Sequence, residues 1–208
     1  MTSPEEPRSE NVVWDHDGVA RHERWAAAGQ RGATVWFTGL PASGKSTLAK
    51  ALEHSLLQSG RLAYRLDGDN LRHGLCGDLG FSAEDREENV RRTAQVAKLM
   101  ADAGVVAIVA LVSPYREGRD AARMLHQADH LPFIGVFVDT PLEICEERDP
   151  KGLYARARAG ELRGMTGVDG AYEPATESEL HLRPPWSIAE VVEQIKNAVT
   201  ASATQGAV

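Results

Sequence analysis

Cysteine is scarce in this sequence: of 208 residues only Cys76 and Cys145 carry a thiol, and they lie far apart. That excludes a disulfide framework and a C-x-x-C thiolate metal site, and it suits a reduced, cytoplasmic setting. Basic charge is also in short supply. Lys and Arg number 23 against 30 Asp and Glu, for a formal charge of -7 and a pI near 5.5. A general nucleic-acid binder needs a basic footprint, so no nucleic-acid partner is expected, and any anionic ligand must be held by local positive charge. Long hydrophobic runs are missing too. The longest, Val105 to Val112, is too short to span a bilayer. The first ten residues are acidic and polar where a signal peptide would be basic and then apolar, so no membrane partner is expected. There is no internal repeat.

What is present suits a single globular chain. Hydrophobic residues make up 42% and charged residues 25%, with 19 Gly and 10 Pro scattered, which excludes collagen-like, low-complexity and wholly disordered chains. At this length a folded protein buries roughly 70% of its unfolded surface, enough for a real core. Residues 1–10 have the composition of a loose tail. Val12, Val13, Trp14, Val19 and Trp25 suggest that the segment to about Gln30 packs on something, so residues 1–30 read as an N-terminal arm. From Thr34, short apolar runs alternate with helical stretches. Thr34–Phe37, Leu62–Leu66, Val105–Val112 and Phe133–Val138 read as buried strands of a parallel sheet covered on both faces. Residues 44–59, 83–103 and 117–128 are long enough for crossover helices, giving an alternating α/β pattern. Ser82 followed by Asp85 has capping-box spacing and starts the second of these helices, which ends at Gly104. After Asp139 the pattern is irregular and glycine-spaced, with a candidate strand near Leu180–Leu182 and a final helix from Ser187.

Directly after the first strand stands Gly39-Leu40-Pro41-Ala42-Ser43-Gly44-Lys45-Ser46-Thr47, which fits G-x-x-x-x-G-K-[ST] and opens a helix. The glycines let the backbone curl so that its N–H groups face phosphate oxygens, and the helix adds the positive end of its dipole. Lys45 is expected to reach the β and γ phosphates, and the Ser46 hydroxyl to bind Mg²⁺. A GTPase would need N-K-x-D to read guanine, and that string is absent downstream of Ser46.

At the end of the second strand come Asp67, Gly68, Asp69 and Asn70. Read as extended backbone, this places both carboxylates on one side, at the ligand crevice. One could take the proton of an attacking hydroxyl and the other hold metal-bound water; an Asx turn that merely closes a loop is the alternative. Arg86 and Asn89, three apart on the helix begun by Ser82, share a face with Phe81 just before the cap, a grouping suited to an anionic, aromatic ligand. A solvated helix face carrying surface charge is the alternative there.

These strings, together with Arg72-His73-Gly74-Leu75, Ser113-Pro114-Tyr115-Arg116 and Arg148-Asp149-Pro150-Lys151-Gly152-Leu153-Tyr154, run in order through most of the chain and resemble the adenylylsulfate kinase family. The resemblance implies an α/β P-loop NTPase fold, with a five-stranded parallel sheet flanked by helices and residues 31–208 as the kinase domain, including a lid over about residues 146–170. It implies transfer of the ATP γ-phosphoryl to the 3′-hydroxyl of adenosine 5′-phosphosulfate, with Mg²⁺, in sulfate activation. Carried onto matching positions, Asp69 meets the acceptor hydroxyl, which leaves Asp67 of the carboxylate pair to join Ser46 at the metal. Arg72, Arg86 and Asn89 bind the acceptor nucleotide, Phe81 stacks on its adenine, Lys151 reaches across from the lid, and Arg148 lies near ATP. Ser113 matches the serine described in the family as a phosphoserine intermediate, and reads here as a hydroxyl that orients the acceptor. Met165 stands where the family usually has a second Phe against the acceptor's adenine. A homodimer is implied, and the resemblance leaves room for association with an ATP sulfurylase. A kinase for another nucleoside or small metabolite, and a catalytically silent nucleotide-binding subunit, stay open as alternatives.

Overall fold

The computed structural model describes residues 11–13 and 18–205; the tail assigned to residues 1–10, Trp14 of the arm, and residues 206–208 of the assigned kinase domain lie outside them. In chain order the elements are α1 (Arg21–Ala27), β1 (Ala33–Thr38), α2 (Lys45–Gln58), β2 (Ala63–Asp67), α3 (Gly68–Leu71), α4 (Ala83–Asp102), β3 (Val106–Ala110), α5 (Arg116–Ala128), β4 (Phe133–Val138), α6 (Leu142–Arg148), α7 (Leu153–Arg158), β5 (Leu180–Leu182) and α8 (Ile188–Gln205).

β1 lies at the centre because it is apolar on both faces. Its side chains alternate, so Val35 and Phe37 point one way and Thr34 and Trp36 the other, and all are buried. The sheet order is β2-β3-β1-β4-β5, every pairing is parallel, and Val35 stands opposite Ile108 on one side and Ile134 on the other. On the Val35–Phe37 face, Leu48, Leu52 and Leu56 of α2 and Val191, Ile195 and Val199 of α8 pack with Ile108 and Val136. On the Trp36 face, Val90, Ala94 and Ala97 of α4 and Ala122 of α5 pack with Ala107 and Val109. The alanines recurring on α4 let it lie close against the sheet. His126 is buried on this face between Thr34 Oγ1 (2.8 Å) and Ala122 O (2.7 Å). The Ser82 cap is realised, its hydroxyl accepting from Asp85 N at 3.1 Å. Of the arm, α1 docks on the end of α4, with Trp25 Nε1 donating to Ala101 O (3.1 Å) and Arg21 paired to Asp102 (2.6 Å).

Three local readings are corrected. The stretch after Asp139 is not irregular throughout: α6 and α7 form there, around a third small core of Cys145, Tyr154 and Met165. β3 stops at Ala110, so Ser113 lies beyond the strand, in the loop before α5, with a left-handed φ of 39°. The Asp67–Asp69 segment is not extended. Asp67 ends β2 and caps α3, its Oδ1 accepting from Asp69 N at 3.1 Å, because a free carboxylate at a strand end is a ready acceptor for the next turn's amides. The two carboxylates differ in exposure: the Asp67 side chain is 9% exposed and that of Asp69 66%.

Candidate active site

The β1–α2 loop is shaped by the side chains packed against it. A Cβ on Gly39 would lie 2.5 Å from Val138 O, so only glycine lets β1 and β4 pass this closely as the chain turns. Tyr154 OH donates to Pro41 O (3.0 Å), Arg148 Nη1 to Ala42 O (3.4 Å) and Ser43 O (3.3 Å), and Thr140 Oγ1 to Ser43 O (2.9 Å). In trans peptide planes the N–H opposes the C=O, so the amides of Ala42 and Gly44 are turned away from that scaffold. Gly44 caps α2 in left-handed conformation, φ 110°. Lys45 folds back on the loop, Nζ donating to Gly39 O (2.9 Å) and Leu40 O (2.7 Å). Burial pushes its ammonium down to about 8; the nearby carboxylates of Asp67 and Asp69 resist this and the charge of Lys151 adds to it. A phosphate would restore the charge. Ser46 and Thr47 follow on the first turn of α2 and line the cleft.

That cleft, about 850 Å³, is the right size for a nucleotide and more, and joins the loop to the acceptor-side residues. Asp67, Asp69, Phe81, Arg86, Arg148, Lys151 and Met165 all line it. Asp67 is held by Arg65 Nη1 at 2.9 Å. Asp69 is paired with Lys151, which binds the α6–α7 turn to the end of β2. Phe81 is 65% exposed, its ring stacked under the guanidinium of Arg72 (4.1 Å to the centroid). Arg72 and Arg86 each spend part of their donor sets on backbone: Arg72 Nη1 on Leu79 O and Gly80 O, Arg86 on Phe81 O and, across the cleft, on Gly164 O at 3.0 Å. Both therefore arrive with their planes already oriented. Asn89 is buried beside the Cys76 thiol, and neither it nor Arg72 is among the residues that line the cleft.

Two residues sit differently from expectation. Ser113 is buried outside the cleft lining, its Oγ accepting from Trp36 Nε1 at 3.2 Å while its carbonyl accepts from Arg119 at 2.6 Å. Met165 lines the cleft and is also a core residue of the 142–168 stretch, only 6% exposed against Cys145 and Tyr154. Sequence reasoning missed Tyr154, which props Pro41, and Trp186 and Ile188, which close the far end of the cleft. The rule that strand carboxyl ends line the crevice applied equally to the segment after β5 and could have found the last two.

A parallel sheet in this order, with Lys45 and Ser46 at the mouth of its central strand and Asp69 across a shared cleft, defines a P-loop kinase. The model of the adenylylsulphate kinase family matches residues 31–183, and the chain belongs to that family. It is 54% identical over 172 residues to an adenylyl-sulfate kinase of Aeromonas salmonicida, covering 83% of this chain and 87% of that one. It is 57% identical over 174 residues to that of Erwinia tasmaniensis, covering 83% and 85%. Among solved structures, the APS kinase of Mycobacterium tuberculosis in complex with AMPPNP and APS superposes with a TM-score of 0.80 at 51% identity, covering 82% of this chain and 99% of that one. A gluconokinase of Sinorhizobium meliloti, at 17% identity and a TM-score of 0.54, shares the fold alone.

Proposed function

We propose that this chain transfers the γ-phosphoryl group of ATP to the 3′-hydroxyl of adenosine 5′-phosphosulfate, giving ADP and 3′-phosphoadenosine 5′-phosphosulfate. The carrying observation is that the Lys45 loop and the Asp69–Phe81–Arg86 group open into one cleft, so donor and acceptor can lie end to end without a covalent relay. The acceptor oxygen attacks the γ-phosphorus, the bond to the β-γ bridging oxygen breaks, and the hydroxyl proton passes to the Asp69 carboxylate. Lys45 stabilises charge on the phosphates. Arg72, Arg86 and Asn89 hold the acceptor, whose adenine meets Phe81; the exposed Phe81 ring and Arg86, both lining the cleft, support that role. Ser113, engaged by Trp36, is read as shaping the turn beneath the acceptor rather than carrying phosphate.

Residues 146–170 act as the lid of the kinase domain, with residues 1–30 as an arm. The donor set at the cleft, one hydroxyl and one carboxylate from Ser46 and Asp67, suits a hard cation that keeps waters and phosphate oxygens as its other ligands, as Mg²⁺ does. When bound, Mg²⁺ would neutralise developing charge on the phosphates. A homodimer, association with an ATP sulfurylase, and a place in sulfate activation go with this reading. So does a cytoplasmic setting; among the described residues no helix is long and apolar enough to cross a membrane.

The deciding experiment follows ADP release from MgATP with and without adenosine 5′-phosphosulfate, and identifies the product by mass. Acceptor-dependent ADP release with one phosphoryl gained at the 3′ position is expected. ATP turnover stimulated by some other metabolite and not by this one would overturn the assignment.

A further inference from the structure

The acceptor side of the cleft depends on one loop. Residues 72–81, between α3 and α4, begin with Arg72 and end with Phe81, whose ring lines the cleft under the Arg72 guanidinium. The loop is a run of turns with no strand or helix of its own. Ordering such a segment costs conformational entropy, which contacts from outside it must offset. α4 supplies them at intervals of three residues. Arg86 Nε donates to Phe81 O (3.0 Å), Asn89 lies beside the buried Cys76 thiol, and Arg92 takes Leu75 O and Asp78. Residues three apart share a helix face, so one side of α4 holds the loop along its length. Arg92 is the one of the three for which the function proposed above has no use, and it does not line the cleft.

Arg92 is nevertheless heavily committed. Its Nη1 donates to Leu75 O (2.9 Å) and Asp78 Oδ1 (2.6 Å), its Nη2 to Asp78 Oδ2 (2.8 Å), and its Nε to Glu88 Oε1 (2.8 Å) one turn back on α4. An exposed ion pair by itself fixes little, but a guanidinium closed on both oxygens of a carboxylate has one geometry, and the Leu75 carbonyl adds a second point of attachment. Glu88 orients the guanidinium from behind. The Arg92 hydrogen bond holds the Asp78 carboxyl below its ordinary range, and Arg91 and Arg92 together bring that of Glu88 to about 2, so the clamp stays charged at neutral pH.

Resting on the reading of this side of the cleft as the site for adenosine 5′-phosphosulfate, we propose that Arg92 is a positioning residue for the acceptor: by clamping Leu75 and Asp78 to α4 it fixes where Arg72 and Phe81 stand, and so sets acceptor affinity without touching the acceptor. The phosphate loop shares none of these contacts, so the donor is indifferent to the clamp.

The test measures steady-state kinetics of the full chain with MgATP and adenosine 5′-phosphosulfate varied in turn, for wild type, Arg92→Gln, Arg92→Lys, Asp78→Asn and the double variant Arg92→Gln/Asp78→Asn. Losing the clamp in Arg92→Gln should raise the acceptor KM about tenfold, with kcat and the ATP KM within about twofold of wild type. Arg92→Lys keeps the charge but not the fork and should fall between the two. Asp78→Asn should shift the acceptor KM in the same direction, and the double variant should be no worse than Arg92→Gln alone, because both substitutions remove one interaction. An acceptor KM that stays put in Arg92→Gln while Tm falls, or an ATP KM that rises as much as the acceptor KM, would show that Arg92 only stabilises α4, and the proposal would be wrong. If Arg92→Gln does not fold, Arg92→Lys and Asp78→Asn decide. Wild type showing no turnover dependent on adenosine 5′-phosphosulfate would overturn the acceptor-site reading itself, a distinct result seen before any variant is made.

Discussion

Two hydrophobic assemblies meet at the phosphate loop, and they are built to different scales. Behind α2, Leu48, Leu52 and Leu56 lie against Val35, Phe37 and Ile108 and the inner face of α8, in a buried cluster that draws on all five strands and two long helices. Beside the loop, Cys145 of α6, Tyr154 of α7 and Met165 beyond them form a cluster of three buried residues, ringed by half-buried ones, on helices of only 7 and 6 residues. Helices so short hold no structure by themselves and depend on those few contacts. One assembly is thus fit to carry the stability of the whole fold. The other rests on few buried contacts, the mark of a region of low local stability.

The two assemblies differ most when the large core is damaged. Leu52→Ala removes a fully buried side chain between α2 and the sheet, and should cost about 2–5 kcal/mol. A chain of this size loses about 2–4 °C of Tm per kcal/mol, so a shift of several degrees should appear by scanning calorimetry. A Tm within a degree of wild type would mean that stability does not reside there.

Met165→Ala should do the opposite. It hollows the small cluster, where a loss of at least about 1.4 kcal/mol in local stability multiplies the open population roughly tenfold. Because cleavage of a fast-opening segment tracks that population, trypsin should cut near Arg156, Arg158 and Arg163 about ten times faster, while Tm barely moves. Unaltered proteolysis together with a large drop in Tm would show that the two assemblies unfold as one.

The same contrast explains what could be read from the sequence. Val35, Phe37 and Val106–Ala110 announce a buried parallel sheet because each strand is apolar on both faces, and the Gly39–Thr47 string carries its own context of strand and helix. The α6 and α7 helices gave no such signal: at two turns or fewer, with Glu146, Glu147, Arg156 and Arg158 among them, they lack the length in which a helical period shows. Asp67 and Asp69 read as an extended pair because their spacing is two, but the Asp67 carboxylate captures the Asp69 amide and turns the chain. The second role of Met165 and the contact of Trp186 with the loop are legible only in three dimensions. Nothing near Met165 says that it fills a core as well as a cleft, and nothing near Trp186 says that β5 delivers it to Gly44.

Lys45 is where the two regions meet electrostatically, and its titration gives the smallest and sharpest test. Burial in the loop brings its pKa to about 8, with the Lys151 charge from the α6–α7 turn pushing the same way. Bound phosphates raise it, so the protonated form is the one that binds. ATP affinity should be full below pH 8 and weaken above it, by up to about tenfold per pH unit, until the raised pKa of the complex is reached. Between the two values binding takes up a proton, seen as a dependence of the calorimetric enthalpy on the ionisation enthalpy of the buffer. Lys151→Gln removes the like charge and should move the midpoint of the affinity profile upward by a fraction of a pH unit, whatever it does to the absolute affinity. A profile that keeps its midpoint in this variant would mean that Lys151 exerts no field on the loop, and that the small assembly covers Lys45 without tuning it.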